Sequence, residues 1–247
     1  MKIAPRFKGT IMATRKMPAA LVAALVLGVF AAPSVRAEDE GEAKARVEAS
    51  RSLRMIGLAM HQYHSQNNHF PSAYIRSPQG KPLLSWRVEI LPFLGEQPLY
   101  DAFHRDEPWD SPHNKPLLAR MPKVYAPRLP AKAPHATDYQ VFVGSGSVFE
   151  LESDVGLQSI GDKPAVTILA VQAGVPVPWT KPEDIPFAAD ERLPKLNGPL
   201  KGGFLAVMAD GSVQFISENA KAGTVEAAVM RNDGRDLKVE DFDPKKD

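Results

Sequence analysis

Proline is the residue type that most restricts the fold of this chain. The 247 residues include 23 prolines, which is above the typical level of about 5%. They cluster between Pro71 and Pro134 and between Pro164 and Pro199. Because proline lacks a backbone N–H donor and interrupts both helices and sheets, these two regions predict loops and argue against a helical bundle. The hydrophobic share of 44% is still enough for a core.

The first 37 residues have the order of a secretory signal peptide. Basic residues precede an apolar run from Met17 to Ala32, and the small-x-small ending Val35-Arg36-Ala37 follows. We expect cleavage after Ala37, which leaves residues 38–247 as a single exported domain, periplasmic or at the cell surface, without an integral membrane segment. The alternative is an uncut membrane anchor, although the run is shorter than the roughly 20 residues that span a bilayer.

Charge and cysteine content exclude several classes of function. Six of the 30 basic residues and none of the 29 acidic residues lie in residues 1–37, so the remainder has a net charge of −5. A mildly acidic chain has no electrostatic footprint for nucleic acid, and envelope or surface proteins are the expected partners; the oligomeric state stays open. The chain has no cysteine, so it has neither disulfides nor thiolate chemistry. We expect no cofactor.

The remaining pattern predicts an α+β fold. After an acidic lead-in at residues 38–42, one helix is expected from Ala43 to about Gln66, because apolar residues recur there at helical spacing. Asn67 and Asn68 supply its end. A second helix is expected over Ala220–Met230, before a charged tail at about 235–247. Short runs of β-branched and aromatic residues predict five strands: Lys123–Tyr125, Tyr139–Val143, Val166–Val171, Phe204–Met208 and Val213–Ile216.

Two proline-containing stretches are harder to assign. Leu84–Phe103 is apolar, and we interpret it as two short helical turns broken at Pro92 and Pro98. Val175–Pro199 is expected to be a long loop.

Asp210-Gly211 is the clearest local signal. An Asp-Gly pair between two apolar runs predicts a β-hairpin with a type I′ turn, in which both turn residues have positive φ. The alternative is a metal-binding or catalytic role for Asp210.

Three sets of polar residues are candidate sites. His61 and His64 lie three residues apart on the predicted helix and are weak candidates for a metal site with His69. Around Trp109, Asp110 and His113 could form a binding loop, or cap and plug a structural one. The stiff segment after Val175 could present Trp179 with Lys181, Glu183 and Asp184 to a ligand, or fold Trp179 back over the sheet.

No catalytic motif is complete. Gly144-Ser-Gly-Ser147 is not a nucleophile elbow, and a phosphate-binding loop is missing. The sequence therefore predicts no catalytic residues and a non-enzymatic domain that binds or scaffolds in the cell envelope. One alternative is a carbohydrate- or small-ligand-binding protein that stacks its ligand on Trp109 and Trp179. The other is a metal-dependent hydrolase built from His61, His64 and the loop 106–113.

Five stretches in order resemble a bacterial family of exported proteins of unknown function, abundant in planctomycetes. The family carries a prepilin-type-processing-associated H-x9-DG C-terminal motif. The stretches are RSLRMIGLAMHQYHSQNNHFPSAY, SWRVEILPFLGEQPLYDAF, PWDSPHNKPLL, VPWTKPEDIPF and GGFLAVMADGSVQFIS. The resemblance implies a pseudopilin-like fold, in which a long N-terminal amphipathic helix packs on an antiparallel sheet with long proline-rich loops.

The chain departs from that family in three places. Leu200 stands where the H-x9-DG motif has its histidine, which weakens a metal role for Asp210. The family commonly has a cysteine near the position of Tyr125, and this chain has none. The helix after Ala37 opens with polar residues, so assembly through a hydrophobic helix bundle is not expected.

Overall fold

A computed structural model describes residue 1 and residues 32–127, 133–196 and 198–244, with residues 32–39 described by backbone only. Most of the predicted signal peptide therefore lies outside the described residues. The chain forms two compact units, Met1–Gly41 and Glu42–Asp247. The second unit holds the sheet and the core. No helix in the described part of the chain combines the length and hydropathy that a bilayer-crossing segment needs.

The described residues combine helices with antiparallel strands, so the fold is α+β. The helices are α1 (Ala32–Asn67), α2 (Trp86–Glu89), α3 (Gln97–Tyr100) and α4 (Thr224–Val229). The strands are β1 (Tyr74–Arg76), β2 (Pro82–Ser85), β3 (Ala136–Gln140), β4 (Phe142–Val143), β5 (Ile168–Pro178), β6 (Ile185–Pro186), β7 (Gly203–Met208) and β8 (Val213–Ser217). Short 3-10 helices lie at Leu91–Leu94, Lys115–Arg120, Lys123–Tyr125, Leu157–Ser159, Pro164–Val166 and Val239–Asp241.

The main sheet has the strand order β3-β5-β7-β8, and all its pairs are antiparallel. Strands β1 and β2 form a separate antiparallel pair, whereas β4 and β6 pair in parallel. Strand β8 is therefore an edge strand of the main sheet.

One face of the sheet packs against α1. The buried positions of α1 include Leu53, Ile56 and Met60, and they share a cluster with Leu205 and Val207 of β7. At Gly57 the helix comes so close that a Cβ atom would lie 2.7 Å from a methyl group of Val207. The other face carries a second cluster, which contains Phe204 of β7, Ala228 of α4 and Phe242. Adjacent residues of β7 thus point into different clusters, as the pleat of a strand requires.

The C-terminal end of α1 agrees with the sequence signal. The helix ends at Asn67, and Asn68 has φ 64°, the left-handed conformation that often follows a helix. Its N–H donates to the carbonyl of His64 at 2.7 Å. The helix itself extends further towards the N-terminus than the predicted start at Ala43.

Several element predictions are wrong, mostly next to prolines. Lys123–Tyr125 is a 3-10 helix rather than a strand, because Tyr125 N–H donates to the Pro122 carbonyl at 3.0 Å. Pro92 and Pro98 do not break helical turns. Each stands in the first turn of a helical element, where its missing N–H leaves no hydrogen bond unmade.

Strand boundaries also differ from prediction. The predicted strand Tyr139–Val143 divides into the end of β3 and the whole of β4, which belong to different sheets. Strand β5 begins at Ile168 and runs to Pro178, so part of the expected loop after Val175 is strand, and Ile185–Pro186 forms β6. Helix α4 is shorter than the predicted Ala220–Met230, because it begins only at Thr224 and ends at Val229.

Candidate functional site

Asp184 was predicted on a ligand-facing loop, but its side chain is fully buried. Its Oδ1 accepts hydrogen bonds from Arg87 Nη2 at 2.6 Å, from Trp86 Nε1 at 3.2 Å and from Val141 N at 3.0 Å. Burial raises the pKa of Asp184 to about 6, although Arg87 and the other donors act in the opposite direction. Three donors on one oxygen make this carboxylate a structural centre, and the prediction that it binds an external ligand is not supported by this geometry.

Arg87 connects that centre to the rest of the fold. Its guanidinium donates from Nε to the Tyr139 carbonyl at 2.9 Å and from Nη1 to Ser85 Oγ at 2.7 Å. The Arg87 carbonyl accepts from the hydroxyl of buried Tyr125 at 2.9 Å. This arginine joins α2, β3 and the loop before β6. Its role is not visible in the sequence, because a lone arginine in an apolar stretch carries no local signal of its partner.

Trp179 is also buried rather than presented. Its exposed fraction is 0%, and its indole N–H donates to the Leu118 carbonyl at 3.0 Å. The ring stacks on Tyr125 at a centroid distance of 5.9 Å and meets Phe103 edge-on at 5.8 Å. Because no face of the ring is exposed, Trp179 cannot serve as a stacking platform. The structure instead agrees with the alternative, in which Trp179 folds back into the core.

Lys181 and Glu183 lie at the surface and pair with each other. Lys181 Nζ also lies 6.0 Å from the ring centroid of Trp109, at the distance limit of a cation–π contact. Trp109 is half-buried, and its backbone N–H donates to the Leu83 carbonyl at 2.8 Å. This contact between Lys181 and Trp109 brings the two predicted segments together.

The loop around Asp110 and His113 is held by a buried asparagine. Asn114 donates to the carbonyls of His104, Glu107 and Pro108 and accepts from the His104 N–H at 3.0 Å. Asp110 is exposed. The sequence interpretation of a structured loop fits these contacts, with Asn114 as its organiser.

The imidazoles of His104 and His113 stack at a centroid distance of 3.3 Å on this loop. His113 Nε2 lies 2.9 Å from the Ala102 carbonyl, and His104 Nδ1 lies 2.9 Å from Glu107 Oε1. The hydrogen bond from His104 is the main cause that lowers the pKa of Glu107. Nδ1 of His104 and Nε2 of His113 therefore both have hydrogen-bond partners within the loop.

The two helix histidines do not form a shared metal site with other described side chains. His64 Nε2 accepts from the Leu157 N–H at 3.1 Å, and His69 Nδ1 lies 2.7 Å from the Phe70 carbonyl. Within residues 32–127, 133–196 and 198–244, no group of three or more His, Asp or Glu side chains is arranged to hold a metal ion.

His61 lies beside the Asp210-Gly211 turn. Burial lowers its pKa most, and His64 lowers it further, while contact with the Ala209 backbone and the charge of Asp210 act in the opposite direction. Its Nε2 is buried and has no hydrogen-bond partner among the described residues. Leu200, at the position of the missing motif histidine, is buried in the cluster beneath α1.

The Asp210-Gly211 turn joins β7 to β8, but it is not type I′. Gly211 has φ 84°, whereas Asp210 is not among the residues with positive φ. The Gly211 N–H donates to the Met208 carbonyl at 2.9 Å, and the Met208 N–H donates to the Ser212 carbonyl at 2.8 Å. This is a three-residue hairpin loop closed by a glycine bulge. Asp210 Oδ1 accepts from the Ser212 N–H at 2.8 Å, so the carboxylate supports the turn.

A carboxyl that sequence analysis missed lies near the end of α1. Burial is the main cause that raises the pKa of Glu89, and its Oε1 accepts from the Tyr63 hydroxyl at 3.4 Å. Tyr63 also packs edge-on against Phe93 and His69. A carboxyl perturbed by burial is a common feature of functional sites, and also of structural networks. Here the contacts join α1 to α2.

Another concave surface of the described residues was also not predicted from the sequence. We call it the α4 groove; it has a volume of about 670 Å³ and is lined by residues of 192–196, 198–204 and 217–226. Its apolar lining includes Leu193, Leu196, Phe204 and Val225. Basic and acidic side chains share its rim: Arg192, Lys195, Lys221, Glu218 and Glu226. Its volume lies in the range of small-molecule sites, about 300–1,000 Å³.

The sequence profile of the family described as "Protein of unknown function (DUF1559)" matches residues 42–164. The match supports a relation to a family of unknown function. No curated protein and no solved structure matches the chain. The α4 groove lies in the part of the chain that follows the matched residues.

Proposed function

We propose that this chain is a non-enzymatic, exported domain of pseudopilin-like fold that binds an amphipathic ligand in the cell envelope, in the periplasm or at the cell surface. The α4 groove carries the binding proposal. Its apolar floor can take the body of a ligand, and the charges of both signs on its rim can orient polar ends. The pseudopilin-like assignment rests on α1, a helix of 36 residues, followed by an antiparallel sheet with long loops.

A non-enzymatic role fits the contacts of three residues that the sequence suggested for a metal, catalytic or binding site. His64 accepts a backbone hydrogen bond through Nε2, and Asp184 is buried in its ion pair with Arg87. Asp210 supports a hairpin turn. Each of these groups has a structural contact that explains its position.

The first test measures binding in the α4 groove with a defined probe. Purified residues 38–247 are titrated with anilinonaphthalene sulfonate, an amphipathic anion whose fluorescence rises in apolar sites. We expect saturable binding of one probe molecule per chain, and its loss in the double variant Leu193→Asp, Leu196→Asp. The matched control is Leu151→Asp, because Leu151 is 42% exposed and does not line the groove. Equal binding of the probe by the unaltered protein, the double variant and the Leu151→Asp control would contradict the proposed site.

The same assay then identifies the class of ligand. Envelope oligosaccharides, muropeptides and short apolar peptides are added as competitors, and the class that displaces the probe is the candidate ligand. Near-UV circular dichroism of each variant shows whether its tertiary packing is intact.

Export requires a separate measurement. N-terminal sequencing of the protein recovered from the envelope fraction should give Glu38 as the first residue. An intact Met1 in a cytoplasmic fraction would contradict export, and an intact Met1 in the membrane fraction would favour the anchor.

A further inference from the structure

A second groove lies on the opposite face of the main sheet, between α1 and β8. We call it the arginine groove; it has a volume of about 520 Å³ and is lined by Arg46, Val47, Ser50, Arg51, Arg54, Leu205, Val213 and Phe215. Its helix residues recur at positions that share one face of α1. Leu205 belongs to the cluster beneath α1, whereas Phe204, in the α4 groove, belongs to the cluster on the other face. The two grooves share no lining residue, so they are separate surfaces.

The arginine groove is basic within an acidic chain. Three of its eight lining residues are arginines and none is acidic, although residues 38–247 have a net charge of −5. Arg46, Arg51 and Arg54 are exposed and form no ion pair with any carboxylate in the described part of the chain. Glu42, one turn before Arg46, is instead engaged by the backbone N–H of Lys201 at 2.9 Å. The positive charge of the groove is therefore not neutralised by an ion pair with a described carboxylate, and it is available to an external partner.

The aromatic side chain of the groove orients one of these arginines. The guanidinium carbon of Arg46 lies 4.1 Å from the ring centroid of Phe215. A guanidinium that stacks on a ring keeps its in-plane N–H donors directed outward, where they can bind a carboxylate with two parallel hydrogen bonds.

The backbone of β8 adds hydrogen-bonding groups along the same groove. The Glu218 N–H donates to the Gly202 carbonyl, and the Met208 N–H donates to the Ser212 carbonyl. The backbone N–H and C=O groups of the even-numbered residues of β8 therefore point towards β7. The Ser217 N–H donates in the opposite direction, to the Phe242 carbonyl at 2.8 Å. Val213 and Phe215 share this outward orientation, and their backbone groups have no partner among the described residues. An unpaired edge of this kind is a template for another strand.

We propose that the arginine groove binds an acidic peptide segment of a partner protein, in extended conformation, as an additional strand on β8. The Val213–Phe215 edge supplies backbone hydrogen bonds to the peptide. Alternate side chains of an added strand point to the same face, so acidic residues at every second position would meet the arginines of α1. This is strand addition with charge complementarity, and it goes beyond the proposed ligand binding in the α4 groove.

The test uses a fluorescein-labelled peptide of alternating glutamate and valine, with anisotropy as the readout on purified residues 38–247. We expect saturable binding that weakens with added salt. The double variant Arg51→Gln, Arg54→Gln should bind about tenfold more weakly, because it loses charge-assisted hydrogen bonds at exposed positions that the fold does not need. The matched control is Lys115→Gln, Arg120→Gln, which makes the same change in net charge at exposed residues outside the groove.

A second peptide separates strand pairing from charge. It has the same sequence but carries N-methyl groups on alternate backbone nitrogens, which keeps the carboxylates and blocks pairing with an edge. We expect it not to bind. Equal binding of both peptides, equal losses in the two double variants, or no binding of the first peptide would each overturn the proposal.

Two further measurements separate peptide binding in the arginine groove from lipid binding and from the α4 groove. Binding of phosphatidylglycerol vesicles without binding of the peptide would overturn the proposal in favour of an anionic lipid surface. The Leu193→Asp, Leu196→Asp variant should bind the peptide like the unaltered protein, so that a failure of the α4 groove and a failure of the arginine groove are told apart.

Discussion

The guanidinium of Arg87 lies 2.6 Å from the carboxylate of Asp184, and both side chains are fully buried. The two residues are far apart in sequence, and their contact ties α2 to the loop before β6. The pair holds the segment that also contains Trp179, Lys181 and Glu183. It therefore supports the loops that sequence analysis proposed for binding, without itself facing a ligand.

Removal of one partner of this ion pair should be severely destabilising. We expect Asp184→Ala to lower the free energy of unfolding by about 3–5 kcal/mol, because it leaves the Arg87 charge buried and unpaired. The double variant Arg87→Met, Asp184→Ala should lose clearly less than the sum of the single changes Arg87→Met and Asp184→Ala. Urea unfolding of the four proteins measures the coupling, and Glu183→Ala serves as the control from an exposed pair. Additive losses would show that the two residues act independently.

Glu89 should make the protein less stable as the pH rises. Its pKa is raised by burial, so the folded state holds the proton more tightly than the unfolded chain does. Protonated Glu89 is therefore favourable below its ordinary pKa of 4.5, and stability is lost as the pH increases through the raised pKa. We expect Glu89→Gln to be more stable than the unaltered protein at pH 7, with a difference that shrinks on acidification.

Thermal unfolding between pH 4 and pH 8 measures this difference. Glu152→Gln is the control, since Glu152 is exposed. A difference that stays constant with pH would mean that the ionisation of Glu89 has no part in it.

Glu150 should have the opposite effect. Its pKa is lowered to about 2, chiefly by its hydrogen bond with Arg231, whose Nη1 lies 2.8 Å from Glu150 Oε1. Ionised Glu150 thus stabilises the fold above its ordinary pKa of 4.5, and this contribution is lost as the pH falls towards 2. We expect Glu150→Gln to be less stable at pH 7 and to approach the unaltered protein in acid. Acid titrations followed by circular dichroism test this, and parallel curves would contradict it.

The β7–β8 hairpin should depend on Gly211 more than on Asp210. Gly211 has φ 84°, a conformation that costs a residue with a Cβ atom roughly 1–2 kcal/mol. We expect Gly211→Ala to lose that amount in urea unfolding. Asp210→Asn should change stability little, because an amide oxygen can still accept from the Ser212 N–H. A larger loss from Asp210→Asn would indicate that the carboxylate charge has a role beyond the turn.

Local signals predicted the elements that depend only on neighbouring residues. The helix end at Asn67 and Asn68, the hairpin at Asp210-Gly211 and the strands β7 and β8 all have residues whose own conformational preferences match the structure. The turn type was wrong because Asp-Gly is compatible with more than one hairpin loop, and pairing of Met208 with Ser212 selects the one with a bulge.

Prediction failed where distant contacts decide the outcome. Tyr125 lies in a 3-10 helix, and its hydroxyl binds the Arg87 carbonyl, a contact that its β-prone neighbours do not reveal. For Trp179, the sequence was compatible both with a position at the surface and with a position in the core. Its stacking on Tyr125 and the hydrogen bond to Leu118 decide for the core.

The sequence by itself determined the α+β class, the loop-rich centre and the position of the hairpin, because proline, asparagine and glycine restrict the backbone locally. Only the tertiary structure decided which polar residues are available for binding. It buried Asp184 by pairing it with Arg87, and it left Arg46, Arg51 and Arg54 exposed beside the unpaired edge of β8. Burial and charge pairing depend on residues that are distant along the chain, so composition and local spacing do not specify them.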